Sequence, residues 1–163
     1  MNNEKGNTLI IFSILCAILL IILLFTMAIF MSHVNSVLYG LKLDMYSIAR
    51  SGIISVNKNK ANTGNFSYDT KAFKKEFEQQ LKETYELDDN FTNNEKLISK
   101  ITIKEYKIYN KGNKDSYTKE RCTDRVLHIV LEVKIRPIIL REFLERLFIF
   151  QIHEDVDLNL VNI

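Results

Sequence analysis

From Leu9 to Met31 the chain runs 23 residues without a charged side chain, interrupted only by Ser13, Cys16 and Thr26. This run constrains the fold more than any other feature. An α-helix rises about 1.5 Å per residue, so roughly 20 apolar residues cross the hydrocarbon core of a bilayer. The apolar core of a secretory signal is shorter, about 7–15 residues, and ends at a small-residue cleavage site. Here the run is longer, and only "TMA" at Thr26 to Ala28 resembles such a site. The pattern predicts an uncleaved, single-pass transmembrane helix in the cell membrane. No other segment is apolar enough to bury it as a core helix. Lys5 lies on one side of the run and Lys42 and Arg50 on the other, so the distribution of positive charge discriminates little. The short tail before the run and the long polar remainder after it predict an extracytoplasmic head.

The helical pattern outlasts the membrane segment. Val34, Leu38, Leu41, Met45 and Ile48 follow at spacings of four and three, which places them on one helix face. Gly52 continues that face and would let another element approach closely. The first cluster of helix-breaking residues is "NKNKANTGN", Asn57 to Asn65. A helix from about Thr8 to Val56 is expected, on the order of 70 Å long. Its second half requires a packing partner, because isolated helices are marginal in water.

The remaining sequence supplies one. In "YDTKAFKKEFEQQLKETYEL", Phe73, Phe77, Leu81 and Tyr85 recur every four residues after a candidate cap at Asp69 or Thr70, the mark of a short amphipathic helix. "ISKITIKEYKIYN" is rich in β-branched and aromatic residues and reads as a strand. "DRVLHIVLEVKIRP" alternates, with Leu127, Ile129, Leu131, Val133 and Ile135 on one face and His128, Glu132, Lys134 and Arg136 on the other. Pro137 ends it. "ILREFLERLFIF" reads as a short helix or a connection. "DVDLNLVN" alternates again, with Val156, Leu158 and Leu160 inward. The expected fold class is α+β: a long N-terminal transmembrane helix continuing into a small domain with a short helix and a three-stranded antiparallel sheet. The expected divisions are a tail at 1–8, a transmembrane segment at 9–31, a helix extension at 32–58 and a head at 59–163. Leu41, Met45 and Ile48 should pack against Leu127, Ile129, Leu131 and Val133.

The layout resembles that of type IV pilin-like proteins, most closely the TadE-like minor pilins and pseudopilins of tight-adherence and Flp-type systems. The residues carrying the resemblance are "KGNTLIIF", the extension "VLYGLKLDMYSIARSG", and "IVLEVKIRP" followed by a late strand. The resemblance implies cleavage by a prepilin peptidase after Gly6, with Asn7 first in the mature chain. It also implies partners: membrane lipid and other pilin-like subunits or membrane proteins of an assembly machine. The family commonly carries Glu five residues after the cut, and here that position is Ile11. An alternative reading is a single-pass anchored binding or accessory domain that does not polymerise.

Other functional signals are sparse. With 22 Lys and Arg against 20 Asp and Glu, the chain is near neutral and no nucleic-acid partner is expected. His33, His128 and His153 are scattered in sequence, and His128 falls on the polar, solvent-facing side of its strand. "HEDVD", His153 to Asp157, has cation-binding groups but no EF-hand spacing, and reads as a solvated loop leading into the last strand. "NKGNKDSYTKER" reads as a long exposed hairpin loop and matches no phosphate-binding motif. Cys16 and Cys122 are too differently placed to pair. The sequence therefore predicts no enzyme, no cofactor and no catalytic or metal site.

Overall fold

A computed structural model describes residues 2–61, 70–137 and 146–158 and, within the first helix, the side chains of residues 8–54. The order is α1 (Asn2–Ala61), α2 (Thr70–Tyr85), β1 (Ile98–Tyr109), β2 (Val126–Ile135) and β3 (Ile149–Asp157). The class is α+β: one long apolar N-terminal helix, a short helix and a three-stranded antiparallel sheet in the order β1-β2-β3. The chain divides into two compact units, Met1–Tyr39 and Gly40–Ile163.

In the first unit α1 is long and apolar enough to cross a membrane. Its large apolar side chains from Leu9 to Phe25 are all exposed, from 52% at Ile18 to 70% at Leu9 and Phe25. Among the described residues nothing covers this surface, as on a helix that would turn its sides to lipid. Its polar residues bond within the helix: the Ser13 hydroxyl donates to the Leu9 carbonyl at 2.9 Å and Thr26 to Ile22 at 2.7 Å. A helix in lipid needs this self-sufficiency, because no water is present to solvate polar groups.

The second unit has its core between the helices and one face of the sheet. Leu41, Met45, Ile48, Ala49 and Ile53 of α1 are buried, as are Phe73, Phe77 and Leu81 of α2. On β2, Leu127, Ile129, Leu131, Val133 and Ile135 are buried, as the alternation predicts. They are flanked by Ile101, Ile103 and Tyr106 on β1 and by Ile152 and Val156 on β3. Three ties fix the helices. Tyr85 donates its hydroxyl to Asp44 at 2.6 Å. The Phe77 and Tyr106 rings lie 5.3 Å apart, and Lys42 pairs with Glu154 at 3.4 Å. Burial and the Asp44 bond both push the Tyr85 hydroxyl well above its ordinary range, so it remains a donor. Gly52 faces α2: a Cβ there would sit 3.4 Å from Glu76 Cγ, the close approach its position on the stripe predicts.

Several local expectations need correction. The last strand is Ile149–Asp157, starting six residues earlier than the alternation in "DVDLNLVN" suggests. "HEDVD" is therefore strand, not loop. Val156 and Leu158 are buried, while Leu160 lies outside the described residues. So do Asp69, one of the two cap candidates, and residues 138–145, which hold most of the expected connection.

Candidate metal centre

The outer face of the sheet, opposite the helices, carries a cluster that the sequence reading misses. It begins with a register shift in β1. Ile103 pairs with Leu131, but Glu105 pairs with Val130, so Lys104 is an extra residue. A β-bulge of this kind reverses the in–out alternation beyond it. Ile101 and Ile103 face the core before the bulge, whereas Tyr106 and Ile108 do so after it. Glu105, Lys107 and Tyr109 are thereby turned to the outer face.

On that face β2 contributes His128, and β3 contributes Asp155, its direct cross-strand partner. His153 stands two residues before Asp155, on the same side of the strand. The segment between β1 and β2 then folds over these residues. Gly112, at φ +84°, permits the tight turn that starts it. The Gly112 amide donates to the Cys122 carbonyl at 2.8 Å, Cys122 to Asn113 at 2.9 Å and Asp115 to Glu120 at 2.8 Å. The loop is thus a small hairpin of its own. Asp115 Oδ1 accepts from the amides of Tyr117 (2.5 Å) and Thr118 (2.8 Å) and holds its tip. Tyr117 stacks on His153 with ring centroids 4.8 Å apart, and Tyr109 meets His128 edge-on at 5.0 Å.

Folding the loop down buries what the sequence placed in solvent. His128 is 0% exposed and Asp115 3%. The expectation of a solvent-facing His128 is wrong because its strand face is polar yet covered. The expectation of an exposed loop fails at Asp115 for the same reason.

Four atoms converge. His128 Nδ1 lies 2.9 Å from Asp155 Oδ1, 3.0 Å from Asp115 Oδ2 and 3.2 Å from His153 Nε2. His153 Nε2 lies 3.1 Å from Asp155 Oδ1 and 3.5 Å from Asp115 Oδ2. No two ligand atoms of the four residues are more than 4.8 Å apart. The other ring nitrogen of His128, Nε2, is 3.1 Å from Glu105 Oε2, and Glu105 also accepts from the Ser116 hydroxyl. Asp115 Oδ2 is buried and accepts no hydrogen bond, despite its short distance to His128 Nδ1.

The electrostatics favour charged carboxylates. The Ser116 hydroxyl, then Lys107 and His128, hold the Glu105 carboxyl below its usual range against some desolvation. Burial works to raise Asp115, but the Thr118 and Tyr117 amides and the two histidines outweigh it and hold this carboxyl low. Burial, then Asp155 and Asp115, push the Cys122 thiol up, which keeps it a poor nucleophile. Asp115 and Asp155 also line an open cleft of about 260 Å³, with Arg121, Cys122 and Val126 among its walls. Two imidazoles and two carboxylates around one point are a ligand set for a divalent cation.

The other predicted site residues fall elsewhere. Leu41, Met45, Ile48, Leu127, Ile129, Leu131 and Val133 are all in the head core. Gly6 and Asn7 lie in the first turns of α1, outside the residues whose side chains are described. His33 is exposed on α1. A sequence signal for the centre existed in "HED", where His153 and Asp155 alternate onto one strand face. Nothing local marks Asp115 as their partner. Comparison with protein-family models, with curated proteins and with solved structures returns no match.

Proposed function

We propose that this protein is a membrane-anchored structural or assembly subunit of the pilin-like kind, comparable to a minor pilin or pseudopilin of a Tad/Flp or type IV pilus-like envelope apparatus. The observation that carries this reading is a single helix, Asn2–Ala61, whose first part exposes an apolar surface and whose second part supplies core residues to an α+β head. An exposed apolar face of that extent has to be covered, by lipid before assembly and by like helices after it. Close packing between such helices comes from van der Waals contact, since lipid is no less apolar. The head would stand outside the membrane and present its outer sheet face. The subunit would work through assembly and not by catalysis.

A second reading, an anchored binding module that stays monomeric, draws support from Ile11, where pilin-like proteins commonly have Glu. The His–Asp cluster on the outer sheet face suits it equally well. Crosslinking in native membranes with an amine-reactive reagent separates the two. The assembly reading expects ladders of this chain, alone or with companion subunits. A monomer at all reagent concentrations favours the second reading.

A further inference from the structure

We propose that Asp115 Oδ2, His128 Nδ1, His153 Nε2 and Asp155 Oδ1 bind one divalent first-row transition cation, of which zinc is the best match, and that the ion clasps the β1–β2 loop to the outer face of the sheet. The inference goes beyond the assembly reading and holds whether or not the anchor polymerises.

Three observations carry it. The first is shape. Four ligands at about 2.0–2.1 Å from a tetrahedral zinc are separated by edges of about 3.3 Å. Five of the six edges of this cluster measure 2.9, 3.0, 3.1, 3.2 and 3.5 Å. The sixth, between the Asp115 and Asp155 carboxylate oxygens, is no longer than 4.8 Å, and the two carboxylates close on the ion to complete the cage.

The second is the set of neighbours. His128 Nδ1 faces two carboxylate oxygens and a second imidazole nitrogen at once. A ring nitrogen carries at most one N–H, so hydrogen bonds within the cluster satisfy these atoms only in part. In the geometry seen here Asp115 Oδ2 accepts from neither ring. A buried, unpaired carboxylate oxygen is costly. A doubly charged cation at the centre accepts all four lone pairs together.

The third is the support behind the ligands. Glu105 holds the far nitrogen of His128, the arrangement that fixes tautomer and ring direction in metal-binding histidines. Tyr117 and Tyr109 pack on the two imidazoles. Asp115 uses Oδ1 to hold its own loop and leaves Oδ2 for the centre. The side chain of Asp155 is 31% exposed and that of His153 15%, which leaves a path for the ion from the adjoining cleft. Imidazole donors select against magnesium and calcium, which prefer oxygen alone.

The test uses the full-length, tag-free chain in mild detergent, stripped with EDTA and desalted. One equivalent of zinc should bind, and zinc at a hundredfold excess over Kd should raise the melting temperature of the head by roughly 10 °C, reversed by EDTA. Magnesium or calcium at the same concentration should not. Cobalt(II) should give the intense visible absorption of a tetrahedral site. The His153→Gln and Asp155→Asn variants, at the partly exposed positions, should fold by circular dichroism and lose both the cobalt band and the zinc shift. Glu105→Gln should retain the stoichiometry but weaken affinity roughly 10–100-fold. A folded wild-type chain whose zinc uptake and melting match those of the His153→Gln/Asp155→Asn double variant would overturn the site. An equal response to calcium would overturn the choice of ion.

Discussion

Replacing Leu131 with Ala is expected to destabilise the head by roughly 2–5 kcal/mol. Leu131 is fully buried on the central strand, between Ile103 on β1 and Ile152 on β3. Its core-facing side is closed by the helices, so the lost methyl groups leave a cavity that the sheet is poorly able to collapse into. A domain of this size is stable by about 5–15 kcal/mol in total, so the change removes a large part of the margin. The chain has no tryptophan and seven tyrosines, so near-ultraviolet circular dichroism of the detergent-solubilised full chain follows the head without the signal of the anchor helix. Lys100→Ala, at an exposed position on β1, serves as the comparison and should change stability by less than about 0.5 kcal/mol. Equal unfolding midpoints for the two variants would show that the core is wrongly placed.

The second large effect concerns the anchor. Carbonate extraction of membranes should leave the chain in the pellet. The triple substitution Ile18→Arg, Leu19→Arg and Ile22→Arg should release it, since each arginine near the centre of a spanning helix costs about 2.5–3.5 kcal/mol. These positions are more than half exposed, and α1 makes no core there, so the substitutions spare the head. Release of the unsubstituted chain would remove the membrane span from the account.

Much of the architecture was legible in the sequence because it rests on periodicity. The repeat of Phe73, Phe77 and Leu81 yields α2, and the alternation from Leu127 to Ile135 yields β2 with the correct inward face. The start of β3 was hidden by Glu154, which occupies an inward position on that strand. Its partner Lys42 on α1 makes the charge tolerable there, and no local pattern announces a partner more than a hundred residues away.

The centre was illegible for a related reason. His128, His153 and Asp155 sit on polar strand positions, and polarity ordinarily marks a solvated face. What covers them is the β1–β2 loop, whose tertiary path a linear reading does not give. Glu105 joins them only because of the bulge at Lys104, and without that extra residue its side chain would point to the core. Residues that look unremarkable one at a time were assembled by register and by loop closure. Periodicity records neither.

The central question is whether the N-terminal helix is an assembly element and not merely an anchor. The mass of the mature N-terminus tests this most directly. On co-expression with an active prepilin peptidase, the account predicts a chain beginning at Asn7, and an uncut chain when Gly6 is replaced by Trp. Removal of the tail that bears Glu4 and Lys5 would leave an apolar helix free to move sideways from lipid into a bundle. An uncut terminus for the unsubstituted chain, in cells where the same peptidase processes a known substrate, would contradict the pilin-like reading and leave a membrane-anchored domain that works alone.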